Sequence, residues 1–340
     1  MSKTVGERLK AIGFVAILLV LLVHLWRMPS TWYVTSGMQG MTFWQVVVNL
    51  GVTQAMGWLA VPTFFGISGF WLVKDYDGSF RWWWRSVSKR IKTVLIPMIV
   101  WVLIALVYET MCGALRVPDS HNWYLPTETQ QFWYFRTLFI YVILSPLLLW
   151  ILKFYMPGFA VVCVLWLSAF IALPGQSEYF MWVNHSAFAG GMWMGLHFEE
   201  VAKRFGPVYR KLKPMIWVAY VLLAIVLVVL GFLHMRILTN RVRFLLIPLG
   251  CASLWMLSPW FVRVLKPVKA VYSLNIFIFA IHFVVMWRIG SLLSGCGMNS
   301  QSVGFMAIQF VAEVLVCVGL GLLMRRFFPR TLAFLSGGRT

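Results

Sequence analysis

Ten apolar stretches, each close to the length that crosses a hydrocarbon layer, divide the chain near positions 11–26, 54–73, 93–112, 134–152, 158–173, 180–198, 214–233, 244–262, 271–289 and 304–324. A layer of ~30 Å takes about 20 helical residues at 1.5 Å each. Inside lipid every backbone N–H and C=O must be satisfied within the segment, which favours helices. The pattern therefore predicts an all-α fold, a polytopic transmembrane helical bundle of about ten spanning helices. A water-soluble domain is excluded, because 61% of the 340 residues are apolar and 11% are charged, too little to make a polar surface. No Ser/Pro/Gly-rich linker, low-complexity tract or repeat interrupts the series, so residues 1–340 read as one membrane domain. The first stretch has no small-x-small cleavage site and closes on Trp26-Arg27, so it reads as a retained helix.

A formal net charge of +19 raises the question of nucleic acid. The cations, however, alternate from loop to loop as membrane insertion arranges them. With both termini cytoplasmic, the inner segments 3–10, 74–92, 153, 203–213, 263–269 and 325–339 hold 22 of the 29 lysines and arginines. No nucleic-acid partner is expected. Tryptophans beside span ends, as in Trp82-Trp83-Trp84, fit an interfacial belt. The five cysteines lack CxxC spacing and lie in or beside apolar runs, so they read as small core residues, with no metal site.

Polar groups inside the spans carry the functional signal, since an ionised group at mid-membrane costs at least ~2.5–3.5 kcal/mol. His24 ends the apolar run from Ile12 to Val23 at the outer side. An imidazole titrates near neutral pH and suits removal of a proton from a hydroxyl; the bland alternative is an interfacial histidine touching headgroups. His282 lies deeper, and Glu313 is the carboxylate well inside the last stretch, able either to orient a histidine or to sit neutral against a neighbouring helix. Glu109, near an outer end, reads as solvated. On the inner side Lys89, Arg90 and Lys92 lead into a span containing Pro97. Such cations match the phosphates of a nucleotide-type donor, or serve only to retain the loop inside. Arg136 opens the fourth helix outside, placed for an anionic acceptor or for snorkelling to headgroups.

Five segments, in order, resemble the acyltransferase-3 family of integral-membrane acyltransferases over nearly the whole length. The helix Ile12 to His24 is similar to the family's opening helix, which ends in its catalytic histidine. Pro62-Thr63-Phe64-Phe65-Gly66-Ile67-Ser68-Gly69-Phe70 resembles its P-x-F-F-x-x-S-G-F segment, and Ser88 to Pro97 its basic stretch. Trp133-Tyr134-Phe135-Arg136 with Ser145-Pro146 resembles the W-F-L…S-P helix, and Ser273 to His282 the S-L-x-I-Y-L-x-H helix.

The resemblance implies ten core helices, a cytoplasmic acyl-CoA donor, usually acetyl-CoA, and a glycan, lipid-linked saccharide or other envelope acceptor. The donor is a co-substrate, and no permanently bound cofactor is implied. The setting is a bacterial inner membrane, with lipid as the surrounding partner. His24 becomes the catalytic base and Glu313 its supporting carboxylate; Lys10, Lys89, Arg90 and Lys92 become donor-binding groups; Trp133, Arg136, Ser273, Asn275 and His282 are assigned to the acceptor or to support of the site. The pantetheine arm would have to thread the bundle to reach His24.

The chain departs from the family in two places. Gly13 stands eleven positions before His24, where members commonly carry arginine, and Lys10 lies one turn further down, about 40° off that face. The R-x-x-R pattern reads Lys89-Arg90-Ile91-Lys92, keeping the spacing with ammonium groups in place of guanidinium forks. Two other classes compete with the enzyme. One is a transporter or flippase, for which Gly190-Gly191 would be a helix break. The other is a noncatalytic scaffold.

Overall fold

A computed structural model describes residues 3–25, 42–111, 130–171, 176–233 and 235–338. Trp26, Arg27, Cys112 and Arg339 lie outside the described residues. Each expected stretch coincides with a helix, edges apart. In chain order these are α1 (Lys3–His24), α2 (Phe43–Leu72), α3 (Phe80–Met111), α4 (Trp133–Leu152), α5 (Tyr155–Ile171), α6 (Gln176–Leu196), α7 (Phe198–Phe232), α8 (Arg236–Leu265, continued by a 3₁₀ run Lys266–Ser273), α9 (Asn275–Gly295) and α10 (Val303–Phe327), with a short α11 (Pro329–Leu335). Among the described residues, α2, α3, α4, α7, α8, α9 and α10 are long and apolar enough to cross a membrane. α1 carries Glu7, Arg8 and Lys10 in its first half, and α5 is shorter. The protein is an all-α polytopic membrane protein.

Helix α3 starts at Phe80, well before the apolar stretch at 93. Ser79 caps it by accepting from the Trp82 N–H (3.0 Å), and Phe80–Arg90 forms an amphipathic lead-in. A π turn at Ile91–Leu95 joins it to the apolar part. Pro97 has no N–H to give Thr93, four residues back, and its ring crowds that carbonyl; a wider turn accommodates both.

Helices α2 and α6 approach each other closely, and small residues make it possible. A Cβ on Gly191 would sit 2.0 Å from the Gly66 carbonyl oxygen, and one on Gly69 would sit 2.3 Å from the Phe188 carbonyl oxygen. Gly190-Gly191 is therefore no break: α6 runs through it, and the glycine serves backbone approach. The expectation for Glu109 is also corrected, since only 5% of it is exposed. It turns inward from α3 rather than to solvent. Cys296 follows the last turn of α9 and is exposed, unlike the buried Cys317.

The central core is shared by α1, α2, α3, α4, α6, α8 and α9, with Cys317 of α10 and Leu332 and Leu335 of α11 joining it. Leucines and valines such as Leu147, Val218, Leu222 and Leu315 line the outside of the bundle, where lipid covers them.

Candidate functional site

The site begins with two registers, antiparallel between α9 and α10 and parallel between α1 and α9. Helices α9 and α10 pack so that Leu274 meets Gly321, and Gln309 donates from Nε2 to the Met286 carbonyl at 3.0 Å. Both pairs sit at one register, and the same register sets Glu313 level with His282. Both side chains are fully buried. Helix α1 crosses α9 with Phe14 beside Tyr272 (centroids 6.5 Å) and Gly13 beside Asn275; at its far end His24 meets His282 and Phe283. The two imidazole centroids are 5.5 Å apart, and each ring also contacts Phe283, at 4.7 Å and 4.6 Å.

His282 is fixed by its own helix. Its Nδ1–H donates to the Phe279 carbonyl at 2.7 Å, which leaves Nε2 as an acceptor, buried and without a hydrogen-bond partner. An acceptor nitrogen in an apolar setting is costly to leave unmade. It is ready to take a hydrogen bond from a neighbouring N–H or O–H. His24, the last residue of α1, is half-buried as a residue, with its ring packed on His282 and Phe283. Gln131 adds a further polar group: Nε2 donates to the Ala280 carbonyl (3.4 Å), and its buried Oε1 has no hydrogen-bond partner.

The Pro62–Phe70, Trp133–Arg136 and Ser273–His282 segments meet beside this pair. Phe65 packs on Tyr134 (4.7 Å) and Trp133 (6.3 Å), Ser68 Oγ lies 3.3 Å from Tyr134 Oη, and Phe279 contacts Tyr134 (5.8 Å) and Phe135 (5.1 Å). Arg136 is half-buried on α4, one turn past Trp133.

The remaining expected residues gather at the opposite end of the bundle. Ser273 Oγ donates to the Ala270 carbonyl (3.0 Å) and accepts from Arg325 (3.2 Å), whose guanidinium also donates to that carbonyl (2.9 Å). Lys269 pairs with Glu7 at 3.8 Å. Lys10, Lys89 and Lys92 are exposed and Arg90 half-buried, the last three at the π turn of α3. Helix α11 closes against that turn: Trp101 Nε1 donates to the Leu335 carbonyl (3.0 Å), and Gly337 approaches the Thr93 carbonyl. Ser273 thus sits near the cationic end and His282 near the other. Gly13 and His24, eleven residues apart, span about 16 Å between them.

Arg325, Gln131 and Gln309 were not legible as site groups, because a lone polar residue in a span carries no periodic signal. Their places follow only from which helices meet. The arrangement offers a proton acceptor at one end, phosphate-matching cations at the other, and a seam of small and aromatic side chains along α1 and α9.

No curated protein and no solved structure matches the chain. The acyltransferase-3 profile, described as an acyltransferase domain, matches residues 9–324, from the second turn of α1 to the last turn of α10. With the profile covering nearly every helix described above, the chain belongs to the acyltransferase-3 family and is a membrane acyltransferase.

Proposed function

We propose that the protein moves an acyl group, acetyl in the first instance, from a cytoplasmic acyl-CoA to a hydroxyl of a glycan or lipid-linked saccharide on the outer side of a bacterial inner membrane. The observation that carries this reading is the contact between His24 and His282, an imidazole pair in which one ring is locked as an acceptor. His24 takes the proton of the acceptor hydroxyl as the oxygen attacks the thioester carbonyl. The C–O bond forms, the C–S bond breaks, and CoA leaves as thiolate, regaining the proton from the imidazolium. His282 Nε2 orients the His24 ring, and Glu313, level with it, supports the charge that forms.

Lys89, Arg90 and Lys92 hold the donor phosphates, with Lys10 beside the α1 entrance. Trp133 and Arg136 border the acceptor, while Asn275 and Ser273 line the path of the pantetheine arm along α1 and α9. Both termini are cytoplasmic in this arrangement, which puts the cationic end inside.

Purified protein incubated with radiolabelled acetyl-CoA tests the reading. Label transfer or CoA release should fall by about 10²–10⁴-fold in His24→Ala. Turnover that survives this substitution would remove His24 from the chemistry.

A further inference from the structure

Helix α7 is longer than the membrane it crosses. Its 35 residues run about 52 Å at 1.5 Å each, against a hydrocarbon layer of ~30 Å. The unbroken apolar part is residues 215–232, so residues 198–214 extend beyond the span. That extension carries five cations, Lys203, Arg204, Arg210, Lys211 and Lys213, against two acids, Glu199 and Glu200.

The extension is tied to the ends of other helices. His197, just before it, donates from Nε2 to the carbonyl of Leu152, the last residue of α4 (2.9 Å). Arg204 pairs with Glu200 at 2.6 Å and stands 4.8 Å over the ring of Tyr155, the first residue of α5. Tyr209 lies in the field of the Arg8 guanidinium, in the first half of α1. These ties hold the extension where α4 ends and where α1 and α5 begin, at the cationic end of the bundle. A helix held there lies at the membrane surface. Pro214, at the junction, has no N–H for the Arg210 carbonyl and lets the extension lean away from the axis of the span.

One face of the extension is apolar and open. At about 100° per residue, Phe205, Val208, Leu212 and Met215 fall within an arc of about 80°, and all four are exposed. Lys203 and Arg210 stand on the opposite face, Arg204 and Lys211 along one side of the stripe, and Lys213 along the other. The stripe continues into Val218, Leu222 and Ile225 of the span, which are exposed as well. Lipid covers those, so the edge of the same lipid layer meets the extension. Among the described residues no carboxylate pairs with Lys203, Arg210, Lys211 or Lys213.

We propose that residues 198–214 form an interfacial helix that binds anionic phospholipid, with Phe205, Val208 and Leu212 among the acyl chains and the cations on the headgroup phosphates. Basic amphipathic helices hold such surfaces through both contacts at once. A second copy of the chain is a poorer occupant, because two stripes laid together would set the Arg204 and Lys211 rows against like charge. The inference rests on the membrane fold and is independent of the acyl-transfer reading.

Native mass spectrometry of the detergent-purified full chain, titrated with phosphatidylglycerol and with phosphatidylcholine, tests this. Phosphatidylglycerol should bind about tenfold or more tighter, since each cation near an anionic surface strengthens binding several-fold. Arg210→Gln with Lys211→Gln should remove most of that preference. Arg326→Gln with Arg330→Gln takes the same charge from another part of the chain and should leave it. All four side chains are exposed, so neither double variant disturbs the core. Equal affinity for the two lipids would overturn the proposal, and so would a preference that survives the first double variant or is lost equally in both. Glycerol 3-phosphate, the headgroup phosphate without acyl chains, should not displace the lipid even in large excess; displacement would make this a site for free phosphate and overturn the lipid assignment. A dimer that is lost in Phe205→Ser and indifferent to lipid would give the stripe to a second copy instead.

Discussion

The amide nitrogen of Asn275 lies 3.4 Å from where a Cβ on Gly13 would stand. A side chain from the facing helix thus occupies the space that adjoins Gly13. A Cβ at 3.4 Å is ordinary contact, and alanine restricts the unfolded chain more than glycine does. Gly13→Ala should therefore stabilise the protein by about 0.5–1 kcal/mol, read as a raised unfolding temperature in detergent. Asn275→Ala probes the same place from the other side. Asn275 Oδ1 is buried and has no hydrogen-bond partner, so removing the amide should cost little stability. The same change should raise KM for acyl-CoA several-fold if Asn275 lines the donor path. An unchanged KM would take Asn275 off that path.

His282 gives the second prediction. Its Nδ1–H is committed to the Phe279 carbonyl, so its effect on catalysis runs through Nε2. His282→Ala should lower kcat by about a hundredfold, the lower end of what a positioned proton partner supplies, with KM for the donor unchanged. Steady-state rates at saturating acyl-CoA measure it. A fall in thermal stability with kcat intact would instead make His282 a packing residue.

Much of the architecture was legible because lipid demands long apolar helices whatever their partners. The ten stretches in the chain fall on helices for that reason. His24 was legible because a lone imidazole ends an apolar run. Its partner was not, since nothing in the order of residues says that α9 crosses α1 at His282. Glu109 was misread because nearness to a span end suggests solvent, whereas burial depends on which way the helix face turns. The hydrogen bond from Arg243 to Gln54 went unseen because its partners come from α8 and α2, about 190 positions apart. The glycines of the Pro62–Phe70 segment were visible as letters, but their purpose, backbone approach to α6, appears only in three dimensions.

That approach yields the third prediction. A Cβ at Gly191 or Gly69 would meet backbone carbonyl oxygens at 2.0 Å and 2.3 Å, and backbone cannot swing aside as a side chain can. Gly191→Ala and Gly69→Ala should each destabilise by about 1–3 kcal/mol or more, seen as loss of monodisperse protein. Gly319→Ala, with nothing within 4 Å, is the control and should be neutral or slightly stabilising. Equal yields from all three would mean that α2 and α6 pack less closely than described.

The last prediction concerns the inner end. Gly337 has φ +66°, in the left-handed region, and a Cβ there would lie 2.3 Å from the Thr93 carbonyl oxygen. Both facts forbid a side chain, one by strain and the other by collision. Thr93 is the carbonyl left without an α-helical donor by Pro97, and it belongs to the π turn that carries Lys92 and follows Lys89 and Arg90. Helix α11, with Leu332 and Leu335 buried and Trp101 bonded to the Leu335 carbonyl, thus braces the turn on which the donor-binding cations stand. Gly337→Ala should release that brace at a cost of about 1–3 kcal/mol, make the segment after Phe327 sensitive to protease, and raise KM for acyl-CoA more than it lowers kcat. Phe334→Ala, on an exposed side chain of the same helix, should do neither. If the protease-sensitive variant keeps its KM, α11 is a stabilising cap with no part in donor binding, and the cations hold their places without it.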